Sequence, residues 1–144
     1  MRIAIACDHA AVSLKDELRD WLTGEGHEMI DLGTHGSASV HYPDYGRKLA
    51  DALAGGAAER GIALCGSGIG IMIAANRNPA VRCALVSEPL SAELARSHND
   101  ANAIAMGARL IGVEMARACV AAFLSTEFLG GRHAARVDML KEPA

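Results

Sequence analysis

Cys65 and the run Gly66-Ser67-Gly68-Ile69-Gly70 bring a sulfur nucleophile, a hydroxyl and a permissive backbone into six consecutive positions. The apolar run Gly61-Ile62-Ala63-Leu64 precedes them and Ile71-Met72-Ile73-Ala74-Ala75-Asn76 follows, so the order reads strand, glycine loop, buried helix. Alternating glycines allow backbone angles that other residues resist, and they turn several N–H groups toward one point at a helix N-terminus, where the partial charge is positive. An anion fits there. Cys65 stands at the end of the strand facing that loop, where the same field favours thiolate over thiol, and Ser67 can give or accept a proton. A base thus adjoins an anion hole. The spacing falls short of the dinucleotide fingerprint and lacks the lysine of a triphosphate loop, so it implies an anion without naming one.

Other candidates carry two readings each. Asp8-His9 after the first apolar run is either a helix cap with a surface histidine or a proton relay. His98-Asn99-Asp100 either terminates a helix, where a histidine suits the dipole, or adds polar groups to a site. Arg132 and Arg136 lie four apart on one helix face, where they repel unless an acid or anion bridges them. They form a solvated face or a phosphate clamp, since guanidinium donors match phosphate oxygens. Cys7, Cys83 and Cys119 fall inside expected strands or a helix and read as core. His27 and His35 read as surface residues, and the six histidines show no metal-ligand spacing.

The elements that must position these groups alternate. Met1 to Cys7 is a short apolar run of the kind a strand covered on both faces shows. Ala10 to Thr23 places Leu14, Leu18 and Leu22 four apart, an amphipathic helix closed by Gly24 and Gly26. His27–Leu32 is a strand, Gly33–His41 a loop, and a helix runs from Tyr42-Pro43 through Leu49 and Leu53 to Gly55. After the glycine loop and its helix come a strand at Val81–Val86, a helix begun by Ser87 and Pro89 and ending near Ser97, and a strand at Ala103–Met106. Helices at Gly112–Leu124 and Arg132–Lys141 close the chain. This alternation implies a mostly parallel sheet with helices on both faces, whose ligands sit outside the carboxyl ends of the strands. In a flavodoxin-like order the first and third strands are neighbours, and Asp8, His9 and Cys65 then meet.

The chain has 144 residues and is 51% hydrophobic, the size of one ordinary domain with a full core. A net charge of -3 argues against a general nucleic-acid or anionic-membrane surface. Four cysteines without paired short spacing indicate free thiols in a reducing compartment. With no apolar stretch near the roughly 18 residues of a membrane span, the expected location is the cytoplasm.

Several segments jointly resemble the sugar-phosphate isomerase family of ribose-5-phosphate isomerase B and the galactose-6-phosphate isomerase subunits. They are Cys65 to Gly70 with Ala74-Ala75-Asn76, Cys7-Asp8-His9, Ser87-Glu88-Pro89, Ser97 to Asn102, and Gly130 to His133 with Arg136-Val137. The resemblance runs end to end. It implies a flavodoxin- or Rossmann-like three-layer α/β/α sandwich on a five-stranded parallel sheet, and a homodimer or homotetramer with sites at the subunit interface. It also implies interconversion of ribose 5-phosphate and ribulose 5-phosphate, without metal or cofactor. In its terms Cys65 is the base that moves a proton between C1 and C2, and Ser67 with the loop N–H groups of Gly66, Gly68, Ile69 and Gly70 holds the enediolate. Phosphate goes to His9, Arg109, Arg132 and Arg136. Asp8 and His98 assist ring opening and oxygen protonation, while Tyr42 and Asn99 hold sugar hydroxyls. Some relatives carry a glutamate base where this chain has Ile71, and many carry an aspartate where it has His41. The second departure lies near the sugar, so a hexose 6-phosphate or tetrose 4-phosphate is the alternative substrate. A flavodoxin-like module that binds a nucleotide or flavin without catalysis is the alternative of another class. An aromatic content of 3% leaves it few stacking surfaces.

Overall fold

A computed structural model describes residues 1–142. Five strands form one parallel sheet: β1 (Arg2–Cys7), β2 (Glu28–Asp31), β3 (Arg60–Cys65), β4 (Cys83–Leu85) and β5 (Ala103–Gly107). The helices are α1 (Val12–Gly24), α2 (Tyr42–Ala54), α3 (Ile69–Asn76), α4 (Pro89–Ser97), α5 (Val113–Ser125) and α6 (Arg132–Lys141). None among the described residues is long and apolar enough to cross a membrane.

Alternation along the strands gives the two faces of the sheet different volumes. Ile3, Ile5, Ile62, Leu64, Ile104 and Met106 pack on one side with α1, α4 and α5, whereas Ala4, Ala6, Ala63, Cys65, Ala103 and Ala105 face α2 and α3 on the other. Burying each large side chain of the first face contributes about 1.5–3 kcal/mol. The alanine face contributes less per residue and lets its helices approach closely. A Cβ on Gly46 of α2 would stand 2.7 Å from the Ala74 Cβ of α3. Cys65 lies on this thin side.

The strand order is β2-β1-β3-β5-β4, so β1 and β3 are neighbours as expected, with Cys7 level with Leu64. The last two strands are exchanged relative to the flavodoxin order. All five residues of β5 are buried, which suits a place beside β3, while β4 holds the edge with only three residues. That strand is shorter than Val81–Val86: ahead of it the Asn102 side chain takes the Arg82 N–H at 2.8 Å, and the Asn76 side chain takes the N–H of its first residue, Cys83, also at 2.8 Å.

Local corrections follow the same logic of competing hydrogen bonds. The first helix begins as a 3-10 turn, His9–Ala11, capped by Asp8, whose Oδ1 accepts the Ala10 N–H at 3.0 Å. Glu88 rather than Ser87 caps α4, accepting the Ser91 N–H at 2.9 Å. At the β2 edge the Lys15 ammonium is fully buried and donates to Asp31 at 2.7 Å and Asp16 at 2.8 Å. Burial alone would raise the Asp31 pKa, but its bonds from Lys15, Arg19 and the Gly33 N–H outweigh that and hold it below the usual carboxylate range. His27, expected at the surface, is half-buried, and its Nδ1 has no partner among the described residues.

Candidate active site

Where β3 ends, the chain makes a tight connection into α3. Gly68 is the N-cap of that helix at φ 80°, a left-handed conformation that a side chain would strain, and an added Cβ would stand 2.7 Å from the Met106 carbonyl carbon. Space limits the other two glycines to different degrees. A Cβ on Gly66 would press on the Arg109 guanidinium, and one on Gly70 would overlap the Tyr42 ring. The helix starts at Ile69, two residues before the expected Ile71, so Ile69 and Gly70 form its first turn.

The loop aims its donors at two nearby acceptors. The Gly68 N–H donates to Cys65 Sγ at 3.1 Å, and the Ile69 N–H donates to Ser67 Oγ at 3.2 Å. The N–H groups of Gly66, Ser67 and Gly70 make no hydrogen bond among the described residues. Because Ser67 Oγ accepts from Ile69, its own proton is left to donate. Cys65 and Asp8 are only 4% and 7% exposed, yet both line a cavity of about 550 Å³ with Tyr42, Ser67, Gly70 and Arg109. Arg109 is held there by its N–H, which donates to the Gly66 carbonyl at 3.0 Å.

The other thiols are unsuited to proton transfer at neutral pH. Burial pushes Cys7 and Cys83 up to about 12, and it raises Cys119 as well. His9, expected beside Cys65, does not line the cavity. Its Nδ1 accepts the Val40 N–H at 3.1 Å and ties the long loop down, which puts the proton of the neutral ring on Nε2. No three His, Cys, Asp or Glu among the described residues come together to hold a metal ion.

The remaining candidates stand at the opposite end of the sheet. His98 is the C-cap of α4, and Asn102, just before β5, accepts the N–H of Gly61 near the start of β3. Four residue steps of about 3.3 Å separate that end from Cys65 by about 13 Å. The turn after His98 is clamped: Asp100, at φ 46°, receives Arg96 at 2.9 Å and Arg82 at 3.3 Å on its carboxylate. Asn99, Arg132 and Arg136 are exposed beside it. Sequence reasoning gave no separate role to His133, whose ring stacks on His98 with centroids 4.3 Å apart and planes within 13°. No spacing signal joins positions so distant in the chain.

One expectation is overturned at the cavity rim. The uniformly apolar α3 reads as a buried helix, but only Ile71 and Ala75 are buried, while Ile69 is 47% and Ile73 54% exposed. The helix packs Ile71, Met72 and Ala75 on the sheet and α2, and leaves the other side bare beside the exposed Leu110, which also lines the cavity.

Comparison with known proteins bears on this arrangement. Ribose-5-phosphate isomerase B of Escherichia coli is 45% identical over 139 residues, 96% of this chain and 93% of that protein. The structure of ribose-5-phosphate isomerase B from Clostridium thermocellum superposes with a TM-score of 0.97 at 47% identity, covering 98% of this chain and 95% of that one. That of the Thermotoga maritima ribose 5-phosphate isomerase gives 0.96 at 48% identity, covering 99% and 98%. The family described as Ribose/Galactose Isomerase matches residues 3–140, and this chain belongs to it.

Proposed function

We propose that the protein interconverts ribose 5-phosphate and ribulose 5-phosphate through a cis-enediolate in the cavity at Cys65. The Cys65 thiolate takes the C2 proton of the open-chain aldose, and the freed electron pair forms the C1–C2 double bond while charge moves to O1. A proton passes from the C2 hydroxyl to O1, and the proton on sulfur returns to C1, leaving the ketose. The free N–H groups of Gly66, Ser67 and Gly70 and the Ser67 hydroxyl meet the oxyanion. Donors of this kind typically lower a barrier by about 3–4 kcal/mol. Asp8 keeps one carboxylate oxygen free of Ala10 and, with His98, serves ring opening and oxygen protonation. Tyr42 and Asn99 hold sugar hydroxyls.

The enzyme works as a homodimer or dimer of dimers. His9 and Arg109 of one subunit and Arg132 and Arg136 of the partner subunit hold the phosphate, and the partner's His98 and Asn99 reach the sugar. Two observations support this: these groups stand at opposite ends of the chain's own sheet, and the cavity rim carries the bare apolar residues Ile69, Ile73 and Leu110. Four cysteines, all free thiols, support a cytoplasmic location.

The observation that carries the reaction is the Cys65 sulfur under the Gly68 N–H, beside unpaired loop donors and Asp8. The test is an NMR time course in heavy water with ribose 5-phosphate, allose 6-phosphate, galactose 6-phosphate and erythrose 4-phosphate. Deuterium should enter beside the carbonyl fastest with the pentose. Cys65→Ala should lower turnover by about 10²- to 10⁴-fold while substrate still binds. Near-normal turnover in that variant, or no exchange by the folded wild type, overturns the reading.

A further inference from the structure

The Leu129 N–H donates to the Ser97 carbonyl at 3.0 Å, and Gly130 and Gly131 then turn the chain at φ 64° and 54° into α6. Together these deliver the first turn of α6 onto the end of α4. There the half-buried His133 ring lies nearly parallel to the His98 ring, 4.3 Å between centroids. From the other side, Arg82 and Arg96 hold Asp100 two residues beyond His98 and fix the turn. The backbone and one face of His98 are thus both restrained, and because its ring makes no hydrogen bond among the described residues, the stack is what orients the plane of the ring.

We propose that His133 is a positioning residue for His98. Stacking fixes the plane of the imidazole and with it the directions along which its nitrogens give and take protons, so the ring meets the sugar oxygen already oriented. The role belongs to the flat ring of His133 and not to its nitrogens. Desolvation first, then the positive charge of His98, Arg132 and Arg136, disfavours protonation of the His133 ring, which suits a neutral aromatic plate. The inference rests on the reading that His98 acts on the sugar.

Steady-state kinetics on the full-length oligomer test it with three variants, each checked for folding by thermal denaturation. His98→Ala should lower kcat at least 30-fold, and an unchanged kcat removes the underlying reading regardless of His133. His133→Ala should lower kcat roughly 5- to 20-fold with KM within twofold. His133→Phe, which keeps the stacked plane without a titrating group, should recover most of that loss. If Phe is as damaging as Ala, a ring nitrogen is what matters. If both variants raise KM alone, His133 belongs to phosphate binding. Either result, or an unaltered kcat in His133→Ala, overturns the positioning role.

Discussion

The two ends of the sheet solve the problem of holding polar groups in different ways. At the carboxyl end, main chain sets the glycine loop: a Cβ on Gly68 would meet the Met106 carbonyl carbon, and one on Gly107 would stand 2.6 Å from the Ser67 carbonyl oxygen. Cys65 and Asp8 are nearly sealed. At the amino end side chains restrain one another, through the stack of the half-buried His98 and His133 and the Asp100 carboxylate between Arg82 and Arg96, while Arg132 and Arg136 stay exposed. The difference matches the chemistry each end can do. Donors that meet a developing charge work only when already in place, which rigid backbone secures. Long cationic side chains suit a phosphate that arrives with its own charge and can draw them in.

The largest effect would come from separating the two ends onto different chains. Cys65→Ala and Arg136→Ala subunits, each nearly inactive at substrate levels below the wild-type KM, should regain about a quarter of wild-type activity when mixed and reassembled, because a two-fold interface restores one intact site in each mixed dimer. No recovery from subunits shown to exchange would mean that each chain carries its own complete site.

Next in size is the contrast between two glycines of positive φ. Gly68→Ala adds a main-chain collision to a strained conformation, about 2–4 kcal/mol together, and should lower both kcat and the melting temperature. Gly130→Ala has the same sign of φ but open space around its Cβ, so it should lose only about 1 kcal/mol. Equal losses in thermal denaturation would erase the distinction between the two ends.

The smallest effect is a titration. Desolvation first, then His98, Arg132 and Arg136, hold His133 below the ordinary histidine range. The unfolded chain therefore binds this proton at higher pH than the folded one. The contribution to stability is largest above the ordinary histidine pKa, declines as pH falls through that range, and levels off below the folded value. Proton NMR should show His133 titrating below an ordinary histidine, and Arg136→Ala should move it upward. A titration unaffected by Arg136 would remove the arginine from the electrostatics of this end.

Much of the architecture was legible because it is written locally. The four-residue spacing of Leu14, Leu18 and Leu22 marks the face of α1 that is buried, and the glycines around Ser67 mark the loop after β3. The side-chain bonds around the start of β4 were not, since Asn76 and Asn102 reach it from other segments. Nor was the bare side of α3, because apolar composition alone does not reveal which side a neighbour covers. Of the site, the resemblance supplied residues for both ends, but the sequence pattern brought together only Asp8, His9 and Cys65, of which Asp8 and Cys65 share the cavity.

What the chain encodes by itself is each strand, most helix starts, and the turn that presents Cys65 to loop N–H groups, because periodicity, capping and glycine act over a few residues. The exchange of β4 and β5, the diversion of His9 to Val40 and the stack of His133 on His98 arise only on folding. Each depends on contacts between segments far apart in the chain, and such contacts are selected by the packing of the whole sheet rather than by any local pattern.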